Sequence, residues 1–165
     1  DEILIGKFLA FLDRGAARDV WDVAFSPQEA VNVLQTKRFR RWFIGLSSIL
    51  EHPLTTYTRK RLEEGMTERD VAERLAPLLS FAAPDREELI ERAWNVLHRF
   101  LTINPEEREF LDAIQRGVLK PDLLFPDDAK EAGRLATHPA ILWKIENVKG
   151  YLARPGRSGK TADLT

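Results

Sequence analysis

Cysteine is missing from this 165-residue chain. Its absence excludes disulfides and any cysteine-ligated metal centre, and nothing in the composition calls for an oxidising compartment. Net charge is nearly missing too: 25 Lys and Arg stand against 26 Asp and Glu, a balance of −1. No global field therefore draws the chain to nucleic acid or to a membrane surface. No apolar run reaches the roughly 18 residues of a membrane span. The acidic start Asp1-Glu2 lacks the basic opening of a signal peptide. These gaps lead us to expect a soluble, cytoplasmic protein. What the chain does have is core-building material: 44% hydrophobic residues, with 9 Phe and 4 Trp, enough for one domain at this length.

Nearly every segment has helical spacing. We expect an all-α fold: one irregular bundle of six to eight helices over residues 1–153, no significant sheet, and a flexible tail over 154–165. Several starts carry a cap. Ser26-Pro27-Gln28-Glu29 reads as a helix start, with Ser26 at the N-cap, Pro27 at the first helical position and Glu29 closing a capping box. Thr67 to Asp70, Ala83-Pro84-Asp85 and Asn104-Pro105-Glu106-Glu107 read as further helix starts, and Gly117 reads as the glycine just past a helix end. The helix after Asp85 is the clearest amphipath, with Leu89, Ile90, Ala93, Trp94, Val96, Leu97, Phe100 and Leu101 as its apolar residues and Arg86, Glu87, Glu91, Arg92 and Asn95 on its polar face. Val118 is assigned to the inner face of the helix before Gly117. Pro139 begins the last helix, and its Trp143 is assigned to the core.

In the stretch from Lys7 to Asp22, KFLAFLDRGAARDVWD, apolar spacing and charge placement conflict. Ile3, Leu4, Ile5, Phe8, Leu9, Phe11 and Leu12 leave a helix almost no polar side, so it should be buried nearly all round. Yet Lys7 sits in its middle. Arg14 and Arg18 share a narrow stripe with Lys7 if the helix carries on past Gly15. Asp19 and Asp22, three apart, share one face of the next turn. Buried Lys and Asp need partners, so the stretch calls for internal partners or a ligand. Lys7 reads either as a fixed cation for the phosphates of a nucleotide or as a lysine that reaches the surface or pairs with a nearby acid. The carboxylates either orient a cation or hold a metal, or Asp22 makes a weak i,i+4 helix pair with Arg18.

The order Lys7, then Leu12-Asp13-Arg14, then Ala17-Arg18-Asp19-Val20-Trp21-Asp22 resembles the later signature of the AbiEii/AbiGii family of nucleotidyltransferase toxins. Val20 and Trp21 stand where that family usually has Leu-Tyr. A second likeness lies in Pro121-Asp122-Leu123-Leu124-Phe125-Pro126 and in HPAILWKIENV at 138–148. The two bracket nearly the whole chain in the family's order. The resemblance implies a bacterial toxin–antitoxin pair. It implies transfer of a nucleotidyl group from an NTP, with Mg²⁺, and for some members to the 3′ end of tRNA. It also implies an antitoxin partner. On this reading Lys7, Asp19 and Asp22 are the catalytic candidates and Lys7, Arg14 and Arg18 the nucleotide-binding ones. Lys7 would meet phosphate, Arg18 and Asp22 would lock the helix, and Asp19 would support the metal or the acceptor. The family's glycine-bearing motif and its metal-binding Asp-x-Asp do not occur in this sequence, whose one Met is Met66. We therefore expect the carboxyl-terminal half of a longer nucleotidyltransferase. It should be inactive alone, bind NTPs weakly or not at all, and have the nucleotidyltransferase core as a further partner.

Other motifs have blander readings. Lys37-Arg38-Phe39-Arg40-Arg41, with Trp42 and Phe43, and Arg59-Lys60-Arg61 are either an RNA contact with interleaved aromatics or a solvated face over core rings. Gly156 to Thr161, GRSGKT, imitates a phosphate loop but has two residues where the motif needs four; it is a decoy. His52, His98 and His138 lack metal-ligand spacing and read as local hydrogen-bonding groups, with His138 capping the last helix. The rival to the enzyme reading is a non-enzymatic helical module that binds protein or RNA.

Overall fold

The computed structural model describes residues 2–153, apart from the side chains of Gln28 and Glu29. Among these the backbone forms ten α-helices and no strand, as the all-α expectation requires. They are α1 (Glu2–Arg14), α2 (Ala17–Ala24), α3 (Gln28–Leu34), α4 (Lys37–Ser47), α5 (Arg59–Gly65), α6 (Glu68–Asp70), α7 (Arg86–Leu101), α8 (Pro105–Gln115), α9 (Ala129–Ala136) and α10 (Pro139–Leu152). The number exceeds six to eight because the polar stretch after Pro53 makes short helices of its own. The Thr58 hydroxyl accepts the Arg61 N–H at the start of α5. Thr67 and Asp70 exchange hydrogen bonds in a reciprocal capping box at α6. Both devices satisfy N–H groups that a helix start would otherwise leave unpaired. The tail over 154–165, and with it the GRSGKT decoy, lies outside the described residues.

Most expected helix starts form. In Ala83-Pro84-Asp85 the cap is Asp85, which accepts the Glu88 N–H and starts α7, and Asn104 and Glu107 form a full box on α8. His138 accepts the Ala140 N–H ahead of Pro139. Gly117, at φ +73°, ends α8 with its own N–H on the Ile114 carbonyl and the Val118 N–H on that of Ala113. That left-handed turn is where glycine avoids a Cβ penalty.

Three expectations are corrected. Pro27, not Ser26, occupies the N-cap position of α3. The Ser26 hydroxyl instead donates back to the Asp22 and Val23 carbonyls and closes α2; the Glu29 side chain, the other half of that predicted box, lies outside the described residues. Val118 is 46% exposed, because the chain has already turned at Gly117. Trp143 is 65% exposed. It lies two residues from the buried Ile141, about 200° around the helix at about 100° per residue.

Between α6 and α7 the helix widens into a single π turn, Val71–Leu75, with the Ala76 N–H reaching back to the Val71 carbonyl. Pro77 follows immediately. It has no N–H to donate, and its ring crowds the preceding turn.

The described residues gather into two compact units. One is built from residues up to Phe43 with Leu50–Ile103, the other from Ile44–Ile49 with residues from Asn104 onward. In the first, four phenylalanines form the centre. Phe8 meets Phe39, Phe43 and Phe100 edge-on, with centroids 5.8, 6.0 and 5.5 Å apart, and all four rings are essentially buried. Edge-to-face packing suits the ring quadrupoles. It ties α1 to α4 and α7, and so fixes the backbone at Lys7, the residue just before Phe8 on α1. In the second unit Phe110, Ile114, Leu124, Phe125, Leu135 and Ile141 are buried. A Cβ at Gly45 would come within 2.9 Å of the Leu135 side chain, so glycine lets that leucine pack onto helix backbone.

Candidate functional site

Gly15, at φ +59°, breaks the helix that the charged stripe required. α1 stops at Arg14 and α2 folds back along it as a helical hairpin. The stripe of Lys7, Arg14 and Arg18 therefore does not exist as one line. The hairpin instead makes two cross-pairs. Lys7 Nζ donates to the Asp22 carboxylate, and Arg14 Nη2 donates to Asp19 at 3.1 Å. Arg18 is exposed and joins neither pair; the alternative Arg18–Asp22 helix pair gives way to Lys7–Asp22. Nor is α1 buried all round. Ile3 is 82% exposed, and the Lys7 side chain keeps 41% of its surface in contact with solvent.

The Lys7–Asp22 pair stands on the wall of an open groove of about 410 Å³. Ile3 and Leu4 of α1, Trp21 and Phe25 at α2, and Ala30 and Val33 of α3 supply its apolar sides. Trp21 and Phe25, four apart on one face, stack at 4.0 Å and 20°. The Arg92 guanidinium of α7 lies 4.7 Å from the Phe25 ring centroid, a cation–π contact that anchors the stack to the unit. Sequence reasoning identified the ion-pairing residues but not these walls. The available signal was the i,i+4 spacing of two aromatics away from the buried Ala17, Val20 and Val23.

The ammonium of Lys7 has three N–H donors, and Asp22 engages one. The remaining donors can meet an anionic oxygen in the groove while Asp22 holds the chain in place. The residues present do not fit a divalent cation. Asp19 and Asp22 each already face a cation, and the described residues contain no group of three or more His, Asp or Glu disposed to hold a metal ion.

A smaller cavity of about 130 Å³ lies at the other end of the hairpin, with Asp13, Arg14, Tyr57 and Arg61 on its walls. Burial pushes the Tyr57 phenol above its ordinary pKa; Arg61 opposes, Asp13 and Glu51 add to the rise, and a backbone hydrogen bond from His52 opposes it. Arg61 lies over the Tyr57 ring at 4.6 Å.

The basic runs follow their bland reading. Phe39, Trp42 and Phe43 are core residues, so they offer no stacking surface. Arg40 donates to the Arg99 and Thr102 carbonyls and closes the end of α7. Arg59 bridges Glu63 and Glu91, and Lys60 faces Glu64 at 3.7 Å. His98 makes a local contact with the Trp94 carbonyl at 2.9 Å. Among the described residues, no helix is long and apolar enough to cross a membrane. No protein-family profile, no curated protein and no solved structure matches the chain.

Proposed function

We propose that this chain is the carboxyl-terminal helical part of a nucleotidyltransferase resembling the AbiEii toxins, with Lys7 as its phosphate-binding cation. The observation that carries the reading is the Lys7–Asp22 pair on the groove wall: a solvent-accessible ammonium held by a carboxylate beside an aromatic, apolar recess. In nucleotidyl transfer an acceptor hydroxyl attacks the α-phosphorus of the NTP, the bond to the bridging oxygen breaks, and pyrophosphate leaves. The chemistry is mostly positioning and charge neutralisation. A fixed Lys offsets the charge that gathers on the departing pyrophosphate, and the groove suits a nucleotide's planar base. Asp22 orients Lys7, and the Arg14–Asp19 pair stiffens the hairpin turn that brings them together.

Mg²⁺ would be held by an Asp-x-Asp in the nucleotidyltransferase core, since Asp19 and Asp22 are each paired with a cation. The acceptor would be RNA, with the 3′ end of tRNA the first candidate. An antitoxin would be the regulatory partner.

The test supplies the chain with a nucleotidyltransferase core carrying the glycine motif and Asp-x-Asp, Mg²⁺, labelled NTPs and total tRNA. Label should appear on RNA with the wild-type chain and fall about 100-fold or more with Lys7→Met, the usual cost of losing one preorganised charge contact. The isolated chain should bind NTPs weakly or not at all in calorimetry. Label transfer unaffected by Lys7→Met would refute the assignment. No transfer with any core would favour the rival, a non-enzymatic interaction module, for which the exposed Trp143 speaks.

A further inference from the structure

The cavity of about 130 Å³ beside the Gly15 turn has no part in the reaction proposed for the Lys7 groove. Much of its wall is apolar: Phe11 and Leu12 of α1, Leu62 of α5 and Leu97 of α7, all buried. An apolar cavity of about 150 Å³ takes a benzene ring, so this one suits a slightly smaller, branched aliphatic group. Polar groups share the wall. Arg14 is already paired with Asp19 at 3.1 Å, and that pair is neutral. Asp13 and Arg61 are different: among the described residues neither makes an ion pair, with the other or elsewhere.

Arg61 is half-buried and held in place. Its guanidinium lies over the Tyr57 ring at 4.6 Å and makes one long contact, 3.5 Å, with the Thr56 hydroxyl. Most of its N–H fork stays open to a carboxylate. Tyr57 is 7% exposed. Its oxygen takes the His52 backbone hydrogen bond, and its own O–H has no acceptor among the described residues. After burial, the next two influences on that phenol are Arg61 and then Asp13, of opposite sign, so both charges lie near one ring. An anion alone would be repelled by Asp13, and a cation alone by Arg61. A ligand with one charge of each sign meets neither conflict.

We propose that this cavity binds a small zwitterion with an apolar body, an α-amino acid with a branched aliphatic side chain. The carboxylate takes the Arg61 fork and the Tyr57 O–H, the ammonium takes Asp13, and the side chain sits among Phe11, Leu12, Leu62 and Leu97. The proposal does not depend on the nucleotidyltransferase reading.

Two-dimensional amide NMR of the full chain, titrated with L-leucine to about 10 mM, reads the site directly. Amides around Asp13 and from Tyr57 to Leu62 should shift and saturate, with a Kd of about 1 mM or tighter. Isocaproate, which is leucine without its ammonium, and isoamylamine, which is leucine without its carboxylate, should each bind about tenfold or more weakly, since each leaves one charged contact unmade. Asp13→Asn should weaken leucine about tenfold or more and leave isocaproate no weaker than with the wild-type chain. Arg61→Gln should weaken leucine by a similar factor and spare isoamylamine. Asp13 is exposed, so its variant keeps the fold, and the same spectra report it. The absence of any saturable shift with leucine would overturn the proposal. So would either analogue binding as tightly as leucine, or Asp13→Asn leaving leucine binding unchanged.

Discussion

The Lys7–Asp22 pair sets stability and function in opposition, and a double-mutant cycle separates them. The Lys7 and Asp22 side chains are 41% and 27% exposed. Water and salt reach both, so the pair belongs near the exposed class, whose coupling is about 0.2–1 kcal/mol. A buried pair that loses one partner costs about 3–5 kcal/mol instead. The cycle uses Lys7→Met, Asp22→Asn and the double variant in urea denaturation, with the coupling taken as the non-additive remainder. The expected coupling is at most about 1 kcal/mol, which for a chain of this size shifts the melting temperature by about 2–4 °C. It should shrink in 1 M salt, where the screening length falls to about 3 Å. The same Lys7→Met change should cost transfer activity about 10²–10³-fold. Stability barely moved and activity lost is the signature of an ammonium kept for a ligand. A coupling of about 3 kcal/mol or more that ignores salt would mean that the pair braces the hairpin structurally, and the phosphate assignment of Lys7 would fall with it.

Two further predictions concern the frame around the site. Gly15 sits at φ +59°, where a Cβ costs about 1–2 kcal/mol. Gly15→Ala should lower the unfolding free energy by that amount, whereas Gly6→Ala, within α1 and with nothing within 4 Å of the new Cβ, should raise it by up to about 1 kcal/mol. Equal stabilities in denaturant titration would refute this account of the hairpin turn. The Thr67 hydroxyl, with help from the Thr67 N–H and then Arg74 and Arg69, holds the Asp70 carboxyl below its ordinary pKa. A depressed folded-state pKa contributes stability that is present above the unfolded value of about 3.9 and lost as pH falls through the folded one. Asp70→Asn should therefore flatten the stability profile only below about pH 4; an unchanged acid limb would show that the capping box carries no proton linkage.

What could be read without coordinates was what closes within four residues. The helix starts at Thr67, Ala83-Pro84-Asp85 and Asn104 and the glycine exit at Gly117 formed, because donor, acceptor and backbone turn are neighbours in the chain; the equally local Ser26 cap did not, because the Ser26 hydroxyl is spent on the carbonyls that end α2. The exposure of Trp143 is legible in the spacing: two residues from Ile141 is the far side of a helix, so the periodicity that buries Ile141 puts the indole outside. The site itself turned on a single residue. With the helix unbroken, Lys7, Arg14 and Arg18 are related by a constant difference in position around the axis. With the chain reversed at Gly15, partners lie on opposite sides of the turn: Lys7 with Asp22, Arg14 with Asp19. The two schemes use the same charges and select different ones, and only the fold-back decides between them. The groove walls were less accessible still, because Ala30 and Val33 reach Ile3 and Leu4 only after a second reversal at Ser26 and Pro27. Arg18 drops out of the constellation for the same reason that Asp22 enters it. A motif in which Arg-Asp and a later Asp are adjacent in sequence divides, in space, into one pair that faces the groove, one pair that braces the turn, and one arginine left to solvent.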